Sequence, residues 1–164
     1  MTTLAESQTI PTKQRELHSH HFDSTMWNGF AFRDDDVVIS TYAKSGTTWT
    51  QQIVGQLIFD GQPDVPVSEL SPWVDLRVPP REVKLPAIEA QTNRRFVKTH
   101  LPVDALVFSP AAKYIYIGRD IVWSLFHHHT SANQLWYDLL NETPGLVGPK
   151  IERPGDDPVA YFRD

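Results

Sequence analysis

The stretch VVISTYAKSGTTWTQQIVGQL, residues 37–57, decides how this chain folds. It begins with β-branched residues, a composition typical of a buried strand, which we place at Val37–Thr41. Apolar residues then recur at the spacing of an amphipathic helix, and these are Trp49, Ile53, Val54, Leu57 and Ile58. Gly61 follows at the position where such a helix is expected to end. The stretch therefore predicts a strand, a short loop and a helix.

The loop between this strand and this helix has the residues of an anion site. Gly46 lets the backbone approach a ligand closely, and the first N–H groups of the helix, which have no partner within it, favour a negative charge. Lys44 adds a positive charge, and hydroxyl groups come from Ser45, Thr47 and Thr48. The loop therefore predicts a phosphate site distinct from a Walker A loop, whose lysine follows its glycines. The alternative is a helix capped in the ordinary way by Ser or Thr.

Composition sets limits on the function. The chain has 164 residues, of which 40% are hydrophobic, enough for one domain with a buried core. Its net charge of −5 disfavours a nucleic-acid-binding surface, and it has no cysteine for disulfides, thiolate metal sites or nucleophilic catalysis. No apolar run is long enough to predict a membrane span, and the N-terminal residues lack the apolar segment of a signal peptide. We therefore expect a cytoplasmic protein that binds neither nucleic acid nor membrane.

Segments typical of strands and of helices alternate along the rest of the chain. Residues 94–100 and 111–118 are rich in β-forming residues and predict two further strands. The proline-rich residues 62–93 predict a long surface excursion with short helices at most, and residues 121–140 predict a helix with a break near Ser131. Strands separated by helices or long crossovers predict a parallel α/β sheet.

Basic side chains stand at or near the end of each predicted strand. The first strand leads into Lys44, the second into Lys98 and His100, and the third into Arg119. Because ligands bind at the carboxyl edge of parallel sheets, we expect these four side chains to meet there. His100 is the best candidate for a general base, since an imidazole titrates near neutral pH. The alternative for His100 is a packing role at the end of its strand.

Three motifs, TYAKSGTTW (residues 41–49), RFVKTHLP (95–102) and KYIYIGRD…WSLFHH (113–128), occur in this order, and together they resemble the cytosolic-type sulfotransferases. That family uses 3′-phosphoadenosine 5′-phosphosulfate (PAPS) as a cosubstrate. The resemblance implies a P-loop NTPase-like parallel sheet flanked by helices, which we expect to be incomplete. It implies the N-terminal portion of a single sulfotransferase domain at residues 26–164, after residues 1–25, whose polar composition predicts a loose lead-in. The family's late Arg-Lys-Gly element does not occur in the sequence.

The resemblance also implies a role for each motif residue. Lys44 would contact the bridging oxygen of the donor and steady the leaving phosphate, and Lys98 would support the transferring sulfuryl group. His100 would deprotonate the acceptor, a small molecule with a hydroxyl or an amine. The other donor-site residues would cradle the 5′-phosphate (Ser45, Gly46, Thr47, Thr48), stack on the adenine (Trp49) or bind the 3′-phosphate (Arg119, Ser124). Trp49 also lies on the apolar stripe of the predicted helix, so a core-packing role stays open for it.

The third motif departs from the family pattern, because Arg119 and Ser124 are closer together than the family's arginine and serine. Alignment on the strand KYIYIG makes Arg119 the phosphate arginine, whereas alignment on DIVWS makes it the second basic residue of the motif. We prefer the first alignment, since a buried strand fixes the position of its end. The main alternative function is an inactive relative that binds PAPS or adenosine 3′,5′-bisphosphate (PAP), and a third is a P-loop kinase.

Three clusters of charged or histidine residues have ordinary interpretations. Asp34–Asp36 are expected in a solvated turn, and Arg94 with Arg95 is expected to be a surface pair. The consecutive histidines His127–His129 cannot chelate one ion together on a helix, because successive side chains point in different directions. The sequence therefore predicts no metal site.

Overall fold

Three parallel strands form the central sheet of the protein, for which a computed structural model describes residues 10–119, 126, 134–145, 147–152 and 155–163. The strands are β1 (Val37–Thr41), β2 (Phe96–Thr99) and β3 (Lys113–Ile117). β1 lies in the middle, where Val37 pairs with Phe96 of β2 and with Lys113 of β3. The parallel α/β sheet predicted from the sequence is confirmed, and the three strands end at one edge.

Five helices accompany the sheet in the described part of the chain. They are α1 (Thr47–Ile58), α2 (Val67–Leu70), α3 (Arg81–Glu89), α4 (Gln134–Glu142) and α5 (Pro158–Tyr161), with 3-10 turns at Ser24–Trp27 and Val103–Ala105. The excursion predicted at residues 62–93 therefore contains α2 and α3, which are both short. The break predicted near Ser131 lies outside the described residues.

The two faces of the sheet pack against different layers, because successive side chains of β1 point to opposite sides. Val37 and Ile39 join one apolar cluster with residues of α1, α2 and β2, which are Val54, Val67 and Phe96. Val38 points the other way, into a larger cluster with Met26, Trp27, Phe30, Val74, Ile88, Val97, Leu101, Ala105 and Leu106. All five residues of β1 are buried, so this strand is the centre of the core.

The face of α1 that packs on the sheet differs from the predicted apolar stripe. Of the predicted stripe, Trp49, Ile53 and Leu57 are exposed, whereas Val54 is buried. The buried face instead includes Thr50, Gln51 and Gly55, of which Gln51 donates its amide N–H to the Ser71 carbonyl at 2.8 Å. Gly55 allows close approach, since a Cβ at this position would lie 2.9 Å from Val67 Cγ2. The core-packing role that the sequence left open for Trp49 is therefore excluded by its exposure.

The described part of the expected loose lead-in, residues 10–25, packs on the rest of the protein. Asp23 donates its backbone N–H to the Asp75 carbonyl at 2.8 Å, and Ser24 is fully buried. The Ser24 hydroxyl accepts the backbone N–H of Leu17 at 2.8 Å, which closes a compact turn. This segment is polar in sequence, yet its hydrogen bonds attach it to the loop that carries Asp75.

Two surface expectations are wrong for one residue each, because Asp36 and Arg95 are buried. The other residues of the two clusters, Asp34, Asp35 and Arg94, are exposed as expected. Arg95 donates from Nε to Asp36 Oδ1 at 2.9 Å, and a second, shorter bond joins its other guanidinium nitrogen to Asp36 Oδ2. The guanidinium also lies 5.3 Å from the centroid of the Phe30 ring. A bidentate pair satisfies both charges, which is the condition for burying them.

Candidate active site

A cavity of about 980 Å³ opens at the carboxyl edge of the sheet. Its lining includes all four basic residues that the sequence predicted to converge, which are Lys44, Lys98, His100 and Arg119. Gly46, Thr47, Thr48 and Trp49 of the predicted donor loop also line it. The volume is in the range of small-molecule sites. The structure therefore brings the predicted residues together, apart from Ser45, which does not line the cavity, and Ser124, which lies outside the described residues.

The loop at residues 42–47 turns sharply between β1 and α1. Lys44 has φ 62° and Gly46 has φ 110°, so two of its residues adopt positive φ values. The Ser45 N–H donates to the Tyr42 carbonyl at 3.1 Å, and the Thr50 N–H donates to the Gly46 carbonyl at 3.0 Å. The N–H groups at positions 47–49 precede this first helical hydrogen bond, as those of an anion-binding helix start do.

The hydroxyl groups of this loop do not cap α1, which was the alternative explanation for them. Gly46 occupies the N-cap position, and no side chain makes a capping bond there. The Ser45 hydroxyl is buried without a hydrogen-bond partner among the described residues. Apart from Gly46 and its two neighbours in the chain, no described heavy atom lies within 4 Å of the position that a Cβ on Gly46 would take. An unpaired hydroxyl and an open approach to the glycine fit a phosphate group.

The hydrogen bond of His100 fixes the tautomer in which Nε2 can accept a proton. Its Nδ1 lies 2.7 Å from the Thr41 carbonyl oxygen at the end of β1. A carbonyl only accepts, so Nδ1 carries the proton and Nε2 keeps its lone pair. Burial lowers the pKa of His100, against the raising effects of the Thr41 hydrogen bond and the Asp75 charge, while Lys98 and Lys44 lower it further. The imidazole is therefore neutral at neutral pH.

The two lysines share this environment. Burial is the largest cause of the lowered pKa of Lys98; the Asp75 charge raises it and the Lys44 charge lowers it. The pKa of Lys44 is also lowered by burial. The Lys98 ammonium lies 5.8 Å from the centroid of the Trp73 ring, which also stands edge-on to the His100 ring at 4.5 Å. Two cations and a neutral imidazole thus face the same cavity.

The cavity also has an apolar wall, which adjoins His100 at Trp73, and sequence reasoning missed most of it. Its apolar and aromatic residues include Leu17, Phe22, Trp73, Leu76, Tyr137 and Leu140. From the sequence, Trp73 is expected to pack against the sheet, with a role in shaping the mouth of the substrate site as the alternative. Leu17 and Phe22 belong to a stretch that had no periodic signal, because it forms no helix and only isolated bridges.

Two further predictions concern the rim of the cavity. Trp49 is 78% exposed there, which leaves stacking on an adenine as its predicted role. Arg119 is exposed two residues after the end of β3, and its role towards a 3′-phosphate also stays a prediction. Within the described ranges, no group of three or more His, Cys, Asp or Glu could hold a metal ion, and no helix is long and apolar enough to cross a membrane. His127–His129 lie outside these ranges.

Comparisons with known proteins point to one family. The family model described as "Sulfotransferase domain" matches residues 34–147. A glycolipid sulfotransferase of Mycobacterium tuberculosis is 46% identical over 153 residues, which cover 87% of this chain and 47% of that protein. Human sulfotransferase 2B1 is 40% identical over 113 residues, which cover 63% of this chain and 30% of that protein.

Solved structures show the same fold. The crystal structure of mouse sulfotransferase SULT7A1 complexed with PAP matches with a TM-score of 0.54 and 20% identity, covering 94% of this chain and 50% of that one. The chain thus spans about half the length of the mycobacterial relative and of this structure. Because the family model matches more than half of its residues, the chain belongs to the sulfotransferase domain family.

Proposed function

We propose that this protein transfers a sulfuryl group from PAPS to a hydroxyl or amine of a small acceptor. One observation carries the proposal: the half-buried imidazole of His100 and the ammonium groups of Lys44 and Lys98 line one cavity with an uncapped helix start. The names of the relatives support it, as does the PAP bound in the solved mouse neighbour. The proposal includes no metal ion.

The donor would be held by the loop and by the start of α1. The N–H groups at positions 47–49 and the hydroxyls of Ser45, Thr47 and Thr48 suit the 5′-phosphate, since they are donors at the positive end of a helix. Trp49 would stack on the adenine, and Arg119 with Ser124 would bind the 3′-phosphate. Bound PAPS would supply the activated sulfuryl group.

His100 would move the proton, and the lysines would stabilise negative charge. The free Nε2 of His100 would accept the proton of the acceptor hydroxyl or amine, while the Thr41 carbonyl holds the Nδ1 proton and the ring orientation. Lys44 and Lys98 would attract the negative charge that increases on the leaving phosphate and on the sulfuryl oxygens. Such stabilisation by fixed charges in a cavity with little water contributes strongly to transfer reactions.

The acceptor side of the proposal rests on the apolar wall. Phe22, Trp73 and Leu76 suit an acceptor with an apolar or aromatic body that presents one polar group to His100. We also propose that residues 26–164 belong to one sulfotransferase domain, which the family match to residues 34–147 supports. A cytoplasmic location is proposed from the absence of cysteine in the sequence.

The test begins with calorimetric binding of PAP to the wild-type protein, Lys44→Ala and Lys113→Ala. Lys113 is an exposed lysine at the start of β3, outside the cavity, so it controls for the loss of one charge. We expect Lys44→Ala to weaken binding roughly 10- to 100-fold, as the loss of a charged hydrogen bond does, and Lys113→Ala to bind as the wild type. No binding by a folded wild-type protein would contradict the proposal.

A second candidate function is binding of PAP without transfer. The short spacing between Arg119 and Ser124 favours it, because that turn would form part of the 3′-phosphate site. Transfer of labelled sulfuryl from PAPS to a panel of phenols and alcohols separates the two functions. Turnover that is lost in His100→Gln, with PAP binding retained, supports the transferase. Tight PAP binding without turnover for any acceptor supports the binding protein.

A further inference from the structure

A buried carboxylate lies behind the basic side chains of the cavity. Asp75 is fully buried, with 0% of its surface exposed. Its Oδ1 accepts a hydrogen bond from Trp27 Nε1 at 3.1 Å, and its Oδ2 accepts one from Trp73 Nε1 at 2.8 Å. Within the described part of the chain it makes no ion pair. Two neutral indole groups therefore hold the carboxylate, and its charge is not neutralised by direct contact.

Trp73 connects this carboxylate to the proposed catalytic residues. The segment before it runs beside β2, where the Lys98 N–H donates to the Pro72 carbonyl at 3.0 Å. The Trp73 ring stands edge-on to His100, with 4.5 Å between the ring centroids, and its centroid lies 5.8 Å from the Lys98 ammonium. Because Nε1 is bonded to Asp75, the rotation of the indole is fixed. Asp75 therefore determines the surface against which His100 and Lys98 rest.

The charge of Asp75 acts on the same two residues. Four groups influence His100: Lys98 from β2, Lys44 from the loop after β1, Asp75 from the segment after α2, and the Thr41 carbonyl. Among these charged groups Asp75 alone is negative. It raises the pKa of Lys98 and of His100 against the larger lowering effect of burial. Of the three charged groups that act on the half-buried imidazole in the described part of the chain, removing Asp75 would leave the two cations.

We propose that Asp75 is a positioning residue for sulfuryl transfer, which holds the Trp73 indole against His100 and supplies the negative charge beside Lys98. This inference rests on the proposed function, because it assigns Asp75 a part in that reaction. It goes beyond that function, because Asp75 does not line the cavity and acts only through other side chains. No substrate contact is required of it.

The test must separate the charge of Asp75 from its hydrogen bonds. Asp75 accepts two indole N–H groups. In Asp75→Asn alone, the new amide N–H would face one of them, and two donors cannot bond to each other. Trp73→Phe removes that indole donor and keeps an aromatic ring, so the amide then meets one donor fewer. Comparing Trp73→Phe with Trp73→Phe/Asp75→Asn isolates the charge. Comparing the wild type with Trp73→Phe isolates the indole hydrogen bond.

Two measurements are made on each variant after circular dichroism has shown it to be folded. The first is an NMR titration of the His100 imidazole, assigned with His100→Gln, which needs no turnover. We expect the pKa of His100 to be lower in the double variant than in Trp73→Phe, because the carboxylate charge is gone. The second is turnover. We expect kcat in the double variant to be about 10- to 100-fold below that of the wild type, with a smaller change in the acceptor KM.

The outcomes distinguish this inference from the proposed function. Identical His100 titrations and identical kcat in Trp73→Phe and the double variant would overturn the role of the Asp75 charge. A role limited to folding would lower the melting temperature without moving the titration of the folded protein, and that result would also overturn it. If the His100 titration differs between Trp73→Phe and the double variant, but the wild-type protein shows no turnover, the action of Asp75 on His100 is supported and sulfuryl transfer is contradicted.

Discussion

The proton of His100 is controlled by backbone and buried charge rather than by its sequence neighbours. The Thr41 carbonyl fixes the tautomer at 2.7 Å, and the Trp73 ring fixes the plane of the imidazole from one side. Burial favours the neutral ring, and the nearby cations Lys98 and Lys44 favour it further. A base must be unprotonated before it acts, and burial and the two cations favour that form. The Thr41 hydrogen bond raises the pKa against them, but it leaves Nε2 as the free nitrogen.

The pH dependence of kcat/KM tests this arrangement. Because the pKa of His100 is lowered from 6.5, its protonation should reduce activity only below pH 6.5. The pKa values of Lys44 and Lys98 are lowered from 10.5, so the alkaline loss of activity should begin below pH 10.5. Initial rates at constant ionic strength measure both limits, and His100→Gln should lose about 10²- to 10⁴-fold in rate. An acidic limit above pH 6.5 would contradict a buried neutral imidazole.

Site residues that directly follow a strand could be predicted from the sequence, whereas residues that depend on tertiary packing could not. Lys44, Lys98 and His100 could be found because parallel strands bring their ends to one edge. Asp75 could not, since nothing local distinguishes a carboxylate between two distant indole groups from a solvated one. Leu17 could not either, because its place in the cavity depends on how an irregular segment packs.

At the scale of secondary structure, α1 shows what an apolar pattern can and cannot determine. The pattern predicts a helix, and the helix is there. The pattern places Trp49 and Ile53 on the buried face, whereas the structure buries the polar residues Thr50 and Gln51 instead. Close approach at Gly55 and the hydrogen bond from Gln51 to Ser71 decide which face is buried, and both are tertiary contacts. The exposed face leaves Trp49 on the rim of the cavity.

Two truncations on α1 test its orientation. Val54 is 6% exposed and packs between β1 and α2, whereas Leu57 is 76% exposed. We expect Val54→Ala to lower the free energy of unfolding by roughly 1–3 kcal/mol, because it leaves a space in the core. Leu57→Ala should change it by less than about 0.5 kcal/mol, since an exposed site loses little. Urea denaturation measures both, and a larger loss in Leu57→Ala would mean that the predicted stripe is the buried one.

α3 contributes a buried cation to the segment that carries Asp75. Lys84 Nζ donates to the Val74 carbonyl at 3.3 Å and, in a shorter bond, to the Leu76 carbonyl. It thereby fixes the backbone on both sides of Asp75. Burial lowers the pKa of Lys84 from 10.5 to about 8, with the Asp75 charge opposing. Through Lys84, α3 therefore holds the backbone of the segment that carries Asp75, the proposed positioning residue.

The lowered pKa of Lys84 gives a stability prediction with a definite sign. Between pH 8 and 10.5 the folded protein has lost this proton and the unfolded chain still binds it. Unfolding takes up a proton there, so Lys84 makes the free energy of unfolding rise with pH in that window. Lys84→Met removes the effect, so the difference between wild type and variant should grow in favour of the wild type from pH 7.5 to 10. A constant difference in urea denaturation would contradict it.

At the scale of the whole molecule, buried polar groups hold the layers together around the sheet. The Arg95 guanidinium at the start of β2 joins Asp36, just before β1, to the Ala31 carbonyl, to which it donates at 2.7 Å. On the other side, Asp75 joins Trp27 of the N-terminal part to Trp73. The residues in these connections lie far apart in sequence. The arrangement of strands and helices could therefore be predicted from their patterns, but the buried polar contacts between the layers could not.

Arg95→Met, with Arg94→Met as its matched control, tests the importance of the buried pair. Arg95 is buried against Asp36, and its neighbour Arg94 is exposed beside Asp35. Arg95→Met should lower the free energy of unfolding by about 3–5 kcal/mol, because it leaves a buried carboxylate without its partner. Arg94→Met should change it little, since exposed pairs contribute little. Chemical denaturation at pH 7 measures both.

A double variant shows whether the cost lies in the unpaired charge or in the lost packing. Arg95→Met/Asp36→Leu removes both charges from the pair and fills the space with apolar side chains. Replacement of a whole buried pair in this way is often neutral, so the double variant should recover much of the stability lost in Arg95→Met. It should not recover all of it, because the Arg95 bond to the Ala31 carbonyl, the contact with Phe30 and the bond from the Arg33 N–H to Asp36 Oδ2 are also gone. A double variant as unstable as Arg95→Met alone would mean that the lost contacts, and not the unpaired carboxylate, account for the instability.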